Sequence, residues 1–200
     1  MLSAVVLAAG DSSRMGAPKA ALRTGNGQSF VARIVTTLRA AAVSDLVIVT
    51  GRHHDAVLDA LARDRIEPHP RVVRNPDPSR GQLSSLLAGM DAVVTPRTAA
   101  LMMTLVDVPL VRVSTVEAVI DQWRRTRAPI VRPAIGDRHG HPVIFDRALF
   151  DALRRAPLES GAKTVVRAHE HAIVNVPVDD EGCVRDVDTP SDYEEMKGVE

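Results

Sequence analysis

The sequence predicts an α/β protein with three αβα layers built on a Rossmann-like, mostly parallel sheet. Short aliphatic runs recur at residues 4–7, 46–49, 72–73, 99–106 and 130–131. Longer amphipathic stretches lie between most of them, the alternation that makes parallel strands joined by helical crossovers. At 200 residues the chain can bury one continuous sheet beneath helices on both faces.

The opening MLSAVVLAAG is apolar, but it is far shorter than a bilayer crossing, lacks a basic leader and runs into a polar turn. It reads as a first buried strand. Residues 30–41, 56–63, 83–94 and 115–123 place apolar side chains at helical spacing. The softest boundary falls near residues 127–133, where helix gives way to Pro-punctuated strand. Beyond Pro142 the pattern is less regular: a short strand at 143–145, helical stretches at 147–154 and 162–169, and a strand at 173–176. No repeat or long linker interrupts it, so residues 1–200 are expected to form one domain, with halves of about 1–127 and 128–200.

Lys plus Arg and Asp plus Glu both number 25, so no basic footprint advertises nucleic acid. Neither a nucleic-acid nor a membrane partner is expected, and any phosphate ligand must be held by local charges. The single cysteine, Cys183, can form neither an intrachain disulfide nor a tetrathiolate zinc site, which fits a reducing, cytoplasmic setting.

Residues 7–22 read LAAGDSSRMGAPKAAL. Leu7 ends the strand, and Ala8, Ala9 and Gly10 leave it with little side-chain bulk, so a nucleotide can lie against the main-chain amides. Arg14 and Lys19 add the fixed positive charge that a triphosphate requires. The spacing is neither the GxGxxG dinucleotide pattern nor a Walker A loop, which weakens dehydrogenase and kinase readings. A solvated turn is the plainer alternative. Against it stands the rarity of lysine: the chain has only Lys19, Lys163 and Lys197 and otherwise uses arginine.

Asp107, in LVDVP, closes the apolar run AALMMTLV at the carboxyl edge of a buried strand, where an unpaired carboxylate is costly without a cation. Asp188, in DVDTPSDY, closes another short apolar run just before a Thr-Pro helix start. Carboxylates from two distant strands can jointly hold one Mg²⁺ that also binds phosphate oxygens. Capping of the last helix is the competing role for Asp188. Asp186 reads as a turn residue or as one that supports the metal pair from behind, and Asp192 as part of the helix's first turn.

The segment GQLSSLLAGM at 81–90 offers the side chains of Gln82, Ser84 and Ser85 to a base or ribose edge, with Asn75 a weaker candidate; Ser84 could equally cap the following helix. In RHGHPVIF at 138–145, His139 and His141 stand two apart, a spacing that raises a metal site only weakly because His53 with His54 and His169 with His171 do the same.

These motifs together resemble the MobA-like NTP transferases, whose signature is LAAGxSxRMGxxK, and within them the molybdenum cofactor cytidylyltransferase (MocA-like) branch. The resemblance runs from Leu2 to Tyr193 in element order. It implies a sheet of the nucleotide-diphospho-sugar transferase type, Arg14 and Lys19 on the nucleotide phosphates, Asp107 and Asp188 as the Mg²⁺ pair, and Gln82 and Ser84 near the nucleotide. It also places Gly140, His141 and Pro142 on the acceptor side, together with Lys163 of SGAKTVV, where relatives often carry arginine. Ala9 stands where the guanylyltransferase branch has a second glycine, and Pro18 where it has an acidic residue, which favours CTP over GTP. The implied activity is transfer of CMP from CTP to the phosphate of molybdopterin with release of pyrophosphate, the product passing to a molybdenum hydroxylase. A guanylyltransferase, a sugar-phosphate nucleotidyltransferase and a non-catalytic cofactor carrier are the alternatives, with a Rossmann oxidoreductase behind them.

Overall fold

The computed structural model describes residues 1–198. Its centre is one eight-stranded sheet of β1 (Leu2–Ala8), β2 (Leu46–Thr50), β3 (Arg71–Arg74), β4 (Ala100–Leu105), β5 (Ile130–Ile135), β6 (Arg138–His139), β7 (Val143–Asp146) and β8 (Ile173–Pro177). Around it lie α1 (Phe30–Ala40), α2 (His54–Arg63), α3 (Gln82–Val93), α4 (Val113–Thr126), α5 (Phe150–Arg155), α6 (Lys163–Ala168) and α7 (Pro190–Lys197). The strand order is β3-β2-β1-β4-β7-β5-β6, with β8 also paired to β5.

The first half is the predicted parallel wind: β2 and β4 flank β1 in parallel and β3 extends from β2. Alternation along β1 sorts the core into two layers. Ala4, Val6 and Ala8 face a cluster with Phe30, Ile34, Leu61, Val116 and Trp123 from α1, α2 and α4. Val5 and Leu7 face Leu83, Leu86 and Met90 of α3, with Phe150, Leu153 and Val165 of α5 and α6. Strands buried on both faces explain why these runs read as unbroken aliphatic stretches.

The second half departs from strict parallel order. β7 runs antiparallel to both β4 and β5, while β8 is parallel to β5. A two-residue strand, β6, pairs with the end of β5 and was not foreseen; it is too short to leave a period. The helix expected at 147–154 divides into a single 3₁₀ turn (Arg147–Leu149), capped by the Asp146 carboxylate accepting from the Ala148 amide at 3.1 Å, and α5. Among the described residues no helix is long and apolar enough to cross a membrane.

Candidate active site

Parallel pairing of β1 with β4, Leu7 opposite Leu105, brings the loop after β1 and Asp107 to the same carboxyl edge of the sheet. Open α/β sheets place their ligand crevice there. The edge carries a cavity of about 340 Å³. Leu7, Ala8, Ala9, Gly10, Arg14, Lys19, Gln82, Asp107 and Asp188 all line it, so the loop, the α3 entry and both aspartates meet as the sequence predicts.

The loop is held by its own polar groups. Ser12 adopts a left-handed conformation (φ 52°), and its hydroxyl accepts from the Lys19 amide at 3.1 Å. Lys19 begins a 3₁₀ turn (Lys19–Ala21), which fixes its main chain while leaving a flexible stem to carry the ammonium inward. That ammonium is hydrogen-bonded to Asp188 Oδ1 and lies 3.5 Å from Asp107 Oδ2. Arg14 Nη2 donates to Asp188 Oδ2 at 2.9 Å. Lys19 is only 11 % exposed, whereas Arg14 at 65 % still reaches solvent.

Two main-chain links carry Asp107 and Asp188 to this point. The Val106 amide donates to Leu7 at 3.0 Å, and the Val187 amide donates to the Asp107 carbonyl at 2.8 Å, stitching the C-terminal segment onto the end of β4. Thr189 caps α7 in a reciprocal box with Asp192, whose carboxylate accepts from the amides of Asp188 and Thr189. The capping role open to Asp188 is therefore filled by its neighbour, and its own side chain faces the cavity.

The electrostatics follow from this clustering. Lys19, by hydrogen bond and charge, and then Arg14 hold the Asp188 carboxyl below its usual range. Asp186 is pushed up by burial and by the negative charges of Asp107 and Asp188, so it belongs to the same acidic corner, behind the pair. Asp107 Oδ1 is buried with no hydrogen-bond partner. Such an orphaned carboxylate oxygen fits a divalent cation. No group of three or more His, Cys, Asp or Glu among the described residues could hold a metal on protein ligands alone. Asp107 and Asp188 would supply two ligands, the number with which Mg²⁺ ordinarily relies on phosphate oxygens and water for the rest.

Other predicted residues stand behind the wall. Asn75 is buried, donates to the hydroxyls of Ser84 (2.8 Å) and Ser85 (3.0 Å), and accepts from the Asp77 amide at 3.0 Å. Ser84 donates to the Gly81 carbonyl at 2.7 Å, and Ser85, one position on, faces the cavity instead. The cap of α3 is Gly81 (φ 94°), not Ser84, because the helix starts at Gln82. Asn75 and Ser84 thus brace the wall that Ser85 forms.

On the acceptor side, Gly140, His141, Pro142 and Lys163 are not among the cavity-lining residues. Lys163 is exposed at the start of α6. Gly140 lies so close to Cys183 that a Cβ there would collide with its carbonyl, and the His141 amide donates to that carbonyl at 2.8 Å. His141 Nδ1 is buried without a partner; burial pushes its pKa down, opposed by the Met103 main chain and the Asp107 charge. Sequence reasoning passed over Ser12, His53, Pro78 and Gly81, all in the wall, and Gly51 beneath it. A Cβ on Gly51 would come within 2.6 Å of the Ala9 carbonyl and 2.9 Å of Pro78 Cγ, so only glycine lets these segments close together. A glycine after a strand signals such an approach, but many strands end in glycine for the turn alone.

A parallel sheet edge carrying an amide-rich loop, two cations and two converging carboxylates defines a nucleotide-binding protein of the nucleotidyltransferase kind. Residues 4–173 match the MobA-like NTP transferase domain, and the chain belongs to that family. It is 31 % identical over 194 residues to nicotine blue oxidoreductase of Paenarthrobacter nicotinovorans, covering 94 % of this chain and 92 % of that one. It is 23 % identical to the molybdenum cofactor cytidylyltransferase of Escherichia coli (strain K12), covering 96 % and 93 %. Among solved structures it is similar to Rv0371c of Mycobacterium tuberculosis H37Rv in complex with manganese, with a TM-score of 0.78, 28 % identity, and coverage of 100 % and 99 %.

Proposed function

We propose that this nucleotidyltransferase moves CMP from CTP to the terminal phosphate of molybdopterin, releasing pyrophosphate in a Mg²⁺-dependent reaction. The carrying observation is the convergence of Lys19 on Asp107 and Asp188 in a cavity floored by Leu7, Ala8, Ala9 and Gly10. The amides of that floor receive the nucleotide, and Gln82 and Ser85 face its base or ribose from the α3 side. An oxygen of the acceptor phosphate attacks the α-phosphorus in line, the bond to the bridging oxygen of the β-phosphate breaks, and that oxygen leaves with pyrophosphate. The nucleophile is already anionic, so the protein needs no general base; it aligns two anions and offsets their repulsion. Arg14 and Lys19 receive the charge that builds on the departing pyrophosphate. Asp107 and Asp188 would hold the metal, which when bound polarises the α-phosphate.

Several features support the particular substrates. Ala9 and Pro18 stand where the guanylyltransferase pattern differs, relatives named as cytidylyl- and guanylyltransferases of the molybdenum cofactor both match along nearly the whole chain and so support the acceptor rather than the base, and the manganese complex of a similar structure supports a divalent ion. A molybdenum hydroxylase would receive the product, and Gly140, His141, Pro142 and Lys163 would shape the acceptor end around the pterin. Asn75 and Ser84 act in this reading by bracing Ser85. The test is pyrophosphate release with each of the four NTPs, with and without Mg²⁺ and molybdopterin. CTP alone should support release, and only with the pterin present; turnover of GTP or of a sugar phosphate would replace the assignment.

The 31 % identity to nicotine blue oxidoreductase favours a second reading, a redox enzyme built on the same sheet. The Lys19, Asp107 and Asp188 cluster weighs against it, since a redox site has no need of paired carboxylates beside a phosphate loop. Oxidation of NADH or NADPH by the purified protein with a quinoid dye separates the two.

A further inference from the structure

We propose that Lys19 stands in for the divalent cation when no nucleotide is bound, so that the protein excludes free metal and admits it only together with a triphosphate. This rests on the reading of Asp107 and Asp188 as the metal pair. The Lys19 ammonium is hydrogen-bonded to Asp188 Oδ1 and lies 3.5 Å from Asp107 Oδ2, so it occupies the position between the two carboxylates. Arg14 neutralises the remaining oxygen of Asp188 at 2.9 Å. The residues assigned to the triphosphate and those assigned to the metal therefore satisfy one another.

Counting charge shows the consequence. Lys19 and Arg14 already offset the charges of Asp107 and Asp188, with Asp186 close by as a third carboxyl, and a bare divalent ion entering between the pair would add two positive charges beside Lys19 and Arg14. A triphosphate offers those cations a better partner, and their withdrawal exposes the carboxylates to the metal that comes with it. The geometry allows this exchange without moving the backbone. The Lys19 amide stays on the Ser12 hydroxyl and its turn stays closed by the Leu22 amide bonding to the Lys19 carbonyl at 3.0 Å, while the four-carbon stem swings. Linkage then requires that metal and nucleotide raise each other's affinity by the same factor.

Binding of Mn²⁺ alone, followed by the loss of the free-ion paramagnetic resonance signal, tests this without turnover. Lys19→Met should bind nucleotide-free Mn²⁺ at least ~10-fold more tightly than the wild-type chain, within the usual range of coupling between sites. Lys19→Gln, which keeps length and polarity, should show the same gain and covers the case in which the methionine variant folds poorly by circular dichroism. Adding Asp107→Asn to either variant should abolish the gain, because the ion then lacks one of its carboxylates. Mn²⁺ affinity unchanged by loss of the ammonium, or a gain that survives Asp107→Asn, overturns the proposal. If Lys19→Met gains Mn²⁺ affinity while the wild-type chain yields pyrophosphate from no NTP, the transferase reading fails and the stand-in role remains.

Discussion

Asp64, the residue that ends α2, accepts from both the amide (2.8 Å) and the hydroxyl (2.5 Å) of Ser29, the residue that caps α1. Arg23, just beyond the nucleotide loop, donates to the other oxygen at 2.7 Å. One carboxylate that is 6 % exposed thus fixes the start of the first crossover helix and the exit of the loop. Its removal leaves a buried amide unpaired, so Asp64→Ala should cost about 1–3 kcal/mol in urea unfolding at neutral pH. Burial pushes the Asp64 carboxyl up, but the bonds from Ser29 and Arg23 outweigh it and hold it below its ordinary 3.8. A lowered folded value means that the contribution is complete above pH 3.8 and fades as pH falls through the folded value. The difference in stability between wild type and Asp64→Ala should therefore shrink in that acidic window and nowhere else. A constant difference from pH 6 to pH 3 would detach Asp64 from the loss.

Asp107→Ala should abolish pyrophosphate release, a loss of at least about 10²–10³-fold in kcat. Lys19 keeps its bond to Asp188 in that variant, and the Asp107 carbonyl that receives the Val187 amide is main chain. Circular dichroism and melting temperature should consequently stay near wild type while turnover disappears. Full activity would remove the aspartate from the reaction.

The first half of the chain was legible because β1, β2 and β4 bury both faces and the crossover helices bury one stripe, so period and fold coincide, while β3 at the sheet edge is only half-buried. The loop from Leu7 to Lys19 was legible for a different reason: small residues leaving a strand, followed by two isolated cations, form a local pattern that can be read without knowing the packing, and these residues line the cavity. Depth was what sequence could not supply. Asn75 and Ser85 are ten residues apart in the chain, and nothing in their types says that the asparagine is spent on bracing while the serine faces the cavity. Asp188 was ambiguous for the same reason, since an aspartate before Thr-Pro can cap, and only the box between Thr189 and Asp192 shows that the position is already taken. The reversal of β7 was hidden because a four-residue strand carries no mark of direction.

His141 provides a titration at milder pH. Its imidazole is buried with Nδ1 unpartnered, and burial pushes its pKa below 6.5 despite the Met103 main chain and the Asp107 charge. Unfolding frees the ring to take a proton near 6.5, so the folded chain loses stability as pH falls from 6.5 toward the folded value and loses none above it. His141→Gln should reduce the slope of the stability profile between about pH 6.5 and pH 5, leaving the share of His139, whose pKa burial and Arg132 also lower. Chemical denaturation at half-unit steps measures this, and equal slopes for the two proteins would show that His141 is not the group responsible.

Asn75→Ala probes how the wall near the base is held. The side chain donates to Ser84 and Ser85 and accepts from the Asp77 amide, and all of these bonds disappear together. Ser84 keeps its bond to the Gly81 carbonyl, so the first turn of α3 should survive, but the Asp77 amide and the Ser85 hydroxyl lose their buried partner. A cost of about 1–3 kcal/mol in stability follows from leaving such groups unsatisfied. Because Ser85 lines the cavity while Asn75 does not contact it, the kinetic effect should appear as a raised KM for the nucleotide with kcat little changed. Ser85→Ala should reproduce the rise in KM with a smaller loss of stability, since it removes one hydroxyl and leaves the rest of the network bonded. A fall in kcat at unchanged KM in Asn75→Ala would instead place this wall against the reacting phosphates.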